Sequence, residues 1–263
     1  MSNFRPRFRM GMAMVTRTST RYSAALTHDV GLHQQAALDL AAEFERRSPW
    51  VTRFYLDDVY YGGDYDAAGD HRLAKFLEFA PAPRTVLELG SFEGGHSLAL
   101  AAHPSVERVV SIEGRKENIE KASFVQRITG DRKVEFIQGH LEHMDLRRLG
   151  KVDAVLCLGV LYHLSNPWRL IKQLAAVSDT LFLWTHFVLD KDSELLTSDM
   201  RGRYYVESAD GDLSGGLGEL SCRLTLGSLM QCLQGSGLRL VESCEIDMTH
   251  PSGPGILLGA RRS

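Results

Sequence analysis

The stretch Leu87-Glu88-Leu89-Gly90-Ser91-Phe92-Glu93-Gly94-Gly95-His96-Ser97 constrains this chain more than any other. An apolar run ends in a glycine turn and passes into a helical pattern. That strand–turn–helix opens a doubly wound α/β sheet and lets a ligand approach the backbone at the carboxyl edge. Set on the dinucleotide pattern, the glycines of the first, third and sixth places fall on Gly90, Phe92 and Gly95. Phenylalanine at the middle place blocks the close approach a pyrophosphate needs, and Glu93 puts negative charge where phosphate would lie. A pyrophosphate ligand is therefore disfavoured.

Downstream, short apolar runs alternate with helical stretches: Thr85 to Leu89, Gly95 to Ala102, Val109 to Ile112, Lys116 to Ile128, Val134 to Gln138, Val152 to Leu158, Pro167 to Ala176 and Thr180 to His186. Most of the strand-like runs are apolar nearly throughout, as strands covered on both faces of a parallel sheet must be. Lys191 to Leu220 is polar and glycine-rich and reads as an inserted loop or flap. A helix from about Leu224 to Gln234 precedes two strands, Leu238 to Glu245 and Ile256 to Ala260. The linker between them, with Pro251, Gly253, Pro254 and Gly255, is too short for a helical crossover, so the pair forms an antiparallel hairpin. Upstream, His33 to Ala80 is helical in pattern around an aromatic, glycine-bearing segment from Pro49 to Tyr65, and Pro81-Ala82-Pro83 ends it. The expected fold is α/β: a doubly wound, mostly parallel seven-stranded sheet with a C-terminal antiparallel hairpin strand and an N-terminal helical cap. Three segments follow: a basic tail over 1–30, a cap or lid over 31–83, and a ligand-binding α/β domain over 84–263 with a lid insertion at about 191–220.

A chain of 263 residues, 44% hydrophobic, can build one large domain with a modest cap. The formal charge of -3 gives no long-range pull on phosphate backbones, which makes a small molecule the default partner. Four cysteines without close paired spacing read as reduced thiols. No apolar run approaches the ~20 residues of a membrane span, and a cytoplasmic location is expected. The stretch to Thr27 carries Arg5, Arg7, Arg9, Arg17 and Arg21 and no acid before Asp29. It has the composition of a targeting peptide, of a disordered tail or of an overlong start, and the tail reading is preferred.

In Val109-Val110-Ser111-Ile112-Glu113-Gly114-Arg115, an acid ends the strand after the glycine loop, where a carboxylate can accept hydrogen bonds from both hydroxyls of a ribose. Asp153 to Leu164, followed by Ser165-Asn166-Pro167-Trp168, carries the next strand to the same edge. Ser165 or Asn166 can cap the following helix, and Pro167 suits its first turn. Tyr162 and His163 then stand at the pocket, where a histidine can take a proton from an acceptor or simply position its loop. Trp184-Thr185-His186 ends the fifth strand, making His186 the competing base. His140 and His143, one helical turn apart, lack an evident third metal ligand, and no metal is expected. Tyr60, Tyr61, Tyr204 and Tyr205 are candidate aromatic walls.

Taken together these motifs resemble the class I S-adenosylmethionine-dependent methyltransferases from about Arg84 to the carboxyl terminus. The resemblance implies S-adenosyl-L-methionine as cofactor, with Glu88 and Gly90 at its methionine end and Glu113 at the ribose. Ser91, Phe92, Gly94, Gly114, Gly139, His140, Leu141, Leu158 and Gly159 complete the implied cofactor set, and His163, Tyr162 and His186 the catalytic one. The chain departs from the family at Phe92, which replaces the usual middle glycine, and in Gln138-Gly139-His140-Leu141, which lacks the acid that often meets the adenine amino group. Gly159 to Pro167 is similar to the branch holding tRNA wobble-uridine carboxymethyl-transferring enzymes and many small-molecule enzymes. The expected reaction is in-line methyl transfer to an oxygen or nitrogen of a small-molecule acceptor. The alternatives are a tRNA-modifying transferase and an inactive cofactor-binding subunit; a homodimer is open.

Overall fold

The computed structural model describes residues 38–207 and 215–262. The basic stretch 1–30 lies outside the described residues, as does 208–214 within the insertion.

Seven strands form the central sheet: β3 (Thr85–Leu89), β4 (Arg108–Glu113), β5 (Val134–Gln138), β6 (Ala154–Leu158), β7 (Thr180–His186), β11 (Leu238–Asp247) and β12 (Gly255–Arg262). Their spatial order is β11-β12-β7-β6-β3-β4-β5. The pairs β3/β4, β3/β6, β4/β5 and β6/β7 are parallel, whereas β12 runs antiparallel to both β7 and β11, as the short linker requires. The strand order turns back between β3 and β6. That switch point opens the crevice in which an α/β sheet binds ligands.

The continuous apolar runs split between two cores because alternate strand residues face opposite sides. Val86, Val109, Ala154, Leu156, Phe182 and Leu257 point to one, Leu87, Val110, Val155, Cys157, Leu183 and Leu258 to the other. The first side is covered by α2 (His71–Phe79), α3 (Gly95–Ala102) and α4 (Lys116–Thr129), and the second by α5 (Pro167–Val177) and α6 (Leu226–Gly235). Burial drives the Cys157 thiol up to about 12, which makes it inert packing.

Two segments differ from their sequence patterns. The aromatic stretch expected between cap helices is a hairpin, β1 (Arg53–Leu56) and β2 (Val59–Gly62), lying between the first helix, α1 (38–45), and α2. Phe54 and Leu56 point inward while Arg53 and Tyr55 remain half-covered, a period of two that the surrounding helical pattern obscures. Phe44 stacks on Tyr61 at 5.0 Å, tying helix to hairpin. The polar insertion is likewise more than a loop. It contributes β8 (Glu194–Leu195), β9 (Arg201–Val206) and β10 (Leu220–Leu224) to a separate three-stranded antiparallel sheet. Arg201-Gly202-Arg203-Tyr204-Tyr205 hides its strand pattern because most of its side chains stay in water. No helix among the described residues is long and apolar enough to cross a membrane.

Candidate active site

At the carboxyl end of β3 the chain turns through Gly90 at φ +71°, and the space a side chain would need there is filled by Val160. Phe92 also holds a left-handed φ, +52°, which only glycine adopts without cost. Its amide donates to one carboxylate oxygen of Glu113 at 2.9 Å, and the Arg115 amide donates to the other at 2.8 Å. Glu113 thus fixes the loop while its remaining lone pairs face the crevice.

Glu93 does not stand where a phosphate would. Its carboxylate is fully buried, turned away, and accepts from the amides of Val51 and Thr52 and from Lys121 Nζ at 2.8 Å. The charge argument against a pyrophosphate therefore fails at Glu93, and the obstacle that remains is Phe92. The sequence could not reveal this, because the partners lie about 30 and 40 residues away in elements it does not pair.

Glu88 also lies beneath the site rather than in its wall. It accepts from Ser97 Oγ and from Ser111 Oγ at 2.8 Å, and its neighbour His96 is 3.9 Å away. Burial pushes its carboxyl pKa up, against smaller downward effects from His96 and the two serines. His96 in turn meets Asp70 at 2.9 Å and Tyr65 at 3.0 Å, and Arg72 is ion-paired to Asp70 at 2.7 Å. Burial alone would raise Asp70; hydrogen bonds from His96, Arg72 and Tyr65 outweigh it and hold the carboxyl far below the usual range. The chain from Glu88 to Arg72 joins the sheet edge to the N-terminal segment.

A cavity of about 230 Å³ opens between the ends of β3, β4 and β6. Gly90, Phe92, Glu113, Gly114, Gly139, His140, Leu141, Leu158 and Gly159 all line it, as do Tyr162 and His163. Ser91 and Gly94 are buried in the loop outside the lining, with Gly94 at φ +84° heading α3. Sequence reasoning missed Arg115, Asn118 and the strap over 215–218. Arg115 donates to the carbonyl of Gly215 at 2.8 Å, and Glu207 joins the Gly216 amide at 2.9 Å to His163 Nδ1 at 3.1 Å. The contact spans 100 residues in the first case and 44 in the second, so no local pattern announces it.

The structure separates the two histidines expected to compete. His163 belongs to the cavity and its strap. His186 packs with Tyr162, Trp184 and His250, ring centroids 4.6, 4.8 and 4.7 Å apart. Its Nδ1 lies 3.1 Å from the Pro254 carbonyl, which can only accept, so Nδ1 carries a proton. Burial lowers its pKa, with Arg223 and His250 acting the same way and the Pro254 and Gly253 carbonyls opposing. Arg72 stacks 5.3 Å from Trp184, bringing the N-terminal segment to this corner.

The other candidates fall elsewhere. Tyr61 is buried in the hairpin core and Tyr60 is exposed against Tyr55, so neither lines the cavity. Tyr205 lies under Arg223 at 4.6 Å, and Tyr204 is partly exposed on β9. His140 and His143 stack at 4.4 Å, and no set of three metal-ligating side chains occurs among the described residues. Asn166 occupies the cap position of α5 without a side-chain bond to it, because Asn166 and Ser165 bond to each other and Ser165 to Glu142.

A methyltransferase-domain family model matches residues 87–179, from β3 to the start of β7. The N-terminal domain of EvdMO1, crystallised in the presence of S-adenosylhomocysteine and D-fucose, is 29% identical, with a TM-score of 0.74 over 86% of this chain and 97% of that domain. Residues 87–179 form a methyltransferase domain, and the chain is an S-adenosylmethionine-dependent methyltransferase. The methyltransferase spans 47% of whole EvdMO1, with 29% identity and a TM-score of 0.64. It also shares the fold of the 1,6-didemethyltoxoflavin-N1-methyltransferase of Burkholderia thailandensis, at 15% identity and a TM-score of 0.53, over 98% of this chain and 99% of the other. No curated protein matches the methyltransferase in sequence. S-adenosylmethionine is its cofactor, and the cavity suits it: Glu113 offers acceptors for a ribose, the Gly90 turn bares backbone, and no phosphate cradle is present at Phe92.

Proposed function

We propose that this enzyme methylates a hydroxyl of a small, sugar-like acceptor in the cytoplasm. The observation that carries the reading is the aromatic corner at the end of β7, where His186, its Nδ1 committed to the Pro254 carbonyl, packs against Tyr162 of the cavity wall and against Trp184 and His250. The crystallisation of the EvdMO1 domain in the presence of D-fucose, in a protein 29% identical, supports a hydroxylated acceptor. Aromatic faces beside polar side chains suit a sugar, whose C–H surface packs on rings while its hydroxyls hydrogen-bond.

The cofactor supplies an electrophilic methyl on a sulfonium that leaves as a neutral thioether. Glu113 would hold the ribose hydroxyls, the Gly90–Phe92 turn the methionine end, and Gly139, His140 and Leu141 the adenine. Leu158 and Gly159 floor the crevice, and Tyr162 walls it on the acceptor side. His186, whose ring lies against Tyr162, would take the proton of the attacking hydroxyl, and the surrounding rings would keep water out. His163 has a positioning role through Glu207 and the strap, which acts with the N-terminal segment as the lid.

The test is incubation of the enzyme and S-adenosylmethionine with D-fucose, other monosaccharides and simple amines, followed by mass spectrometry. A methylated sugar whose formation drops with His186→Gln supports the reading. Methylated amines with untouched sugars overturn it.

A further inference from the structure

Asn118 is the third residue of α4, just beyond the strand that ends in Glu113. Its side chain is completely buried, yet neither its Oδ1 nor its Nδ2 has a hydrogen-bond partner. Only five such atoms occur among the described residues; two are on Asn118 and one is Ser91 Oγ in the glycine loop, so the cofactor site holds most of them. A buried carboxamide offers two donors and two lone pairs, and leaving all of them unmet is costly enough that native structures rarely do it without a purpose. Asn118 also borders the cavity beside Phe92, Glu113 and Arg115.

Leu217 of the strap sits against Gly114, one helical turn before Asn118, and closes this corner of the cavity. Glu113 already accepts two backbone amides, so it cannot also satisfy every polar atom of a nucleoside lying beside it.

We infer that Asn118 is a further cofactor-binding residue, whose carboxamide hydrogen-bonds the adenosyl half of S-adenosylmethionine next to Glu113. The inference rests on S-adenosylmethionine being the cofactor. A bound nucleoside would supply the partners that the protein's own groups do not give Asn118. It makes the site selective, because an analogue without polar atoms at that edge leaves the amide buried and unpaired.

The experiment is calorimetric binding of S-adenosylhomocysteine and of methylthioadenosine, which lacks the methionine end, to wild type, Asn118→Leu and Asn118→Asp, with thermal unfolding of each free protein. Asn118→Leu is expected to weaken both ligands alike, by about 10- to 100-fold, while the melting temperature of the free protein holds or rises. Asn118→Asp, which keeps the shape but loses the donors, is expected to weaken both as well. Affinities within twofold of wild type, a loss confined to S-adenosylhomocysteine, or a lowered melting temperature in both variants would each overturn the inference. Wild type that binds neither ligand would instead sink the cofactor assignment beneath it.

Discussion

Glu93 and Lys121 form an ion pair at 2.8 Å with both side chains almost wholly out of water, and the same carboxylate holds the backbone of Val51 and Thr52. A residue of the cofactor loop is therefore the anchor of the N-terminal hairpin. Removing one member of a buried pair leaves an uncompensated charge. Lys121→Met is expected to cost about 3 kcal/mol of stability, read as a fall in denaturant midpoint. An unchanged midpoint would mean that the amides of Val51 and Thr52 suffice to hold Glu93.

Glu113 fixes the loop through the amides of Phe92 and Arg115, and the proposed function also gives it the ribose. Glu113→Ala should weaken S-adenosylhomocysteine binding by roughly 10- to 100-fold, the worth of a hydrogen bond to a charged group. Glu113→Gln, retaining one acceptor oxygen, should fall between. Equal affinity in all three proteins by calorimetry would remove Glu113 from the site.

His186 gives a pH dependence with a definite sign. Its folded pKa lies below the ordinary value near 6.5, so the unfolded chain takes the proton first on acidification. Its contribution to stability is complete above that ordinary value and is lost as pH falls toward the folded pKa. Methyl transfer should keep its rate to a pH lower than an ordinary histidine would allow. His186→Gln should lower the rate by about 100-fold or more and flatten the acid limb of the profile, which a pH–rate series with and without the substitution will reveal.

The strap depends on Glu207, whose carboxylate bridges His163 and the Gly216 amide. Burial raises its pKa, but the Gly216 amide, Ser221 and His163 together outweigh that and keep it ionised. Glu207→Gln should release bound S-adenosylhomocysteine about five times faster, as expected for the loss of roughly 1 kcal/mol. Stopped-flow dissociation is the measurement, and an unchanged rate would free the strap of any part in retention.

Much of this was legible in the chain itself. Glycines and an acid at strand ends marked Gly90 and Glu113, because a tight turn and a carboxylate at a sheet edge have local sequence signatures. The hairpin of β11 and β12 followed from linker length alone. What escaped was long-range. The inward turn of Glu93, the strap held by Arg115 and Glu207, and the buried amide of Asn118 depend on residues from other parts of the fold. The hairpin β1–β2 escaped for another reason: four-residue strands leave too few alternations to stand out among helices.

The anchoring of Val51 and Thr52 on Glu93 also bears on how small a working fragment of this enzyme can be. The family match begins at residue 87, after the hairpin has ended. A fragment cut at that point would strip Glu93 of two amide donors and take the Pro49 carbonyl from Lys121, leaving the charged pair uncovered behind the glycine loop. A fragment that keeps this anchor has to start ahead of Pro49, which makes the hairpin and the glycine loop one packing unit.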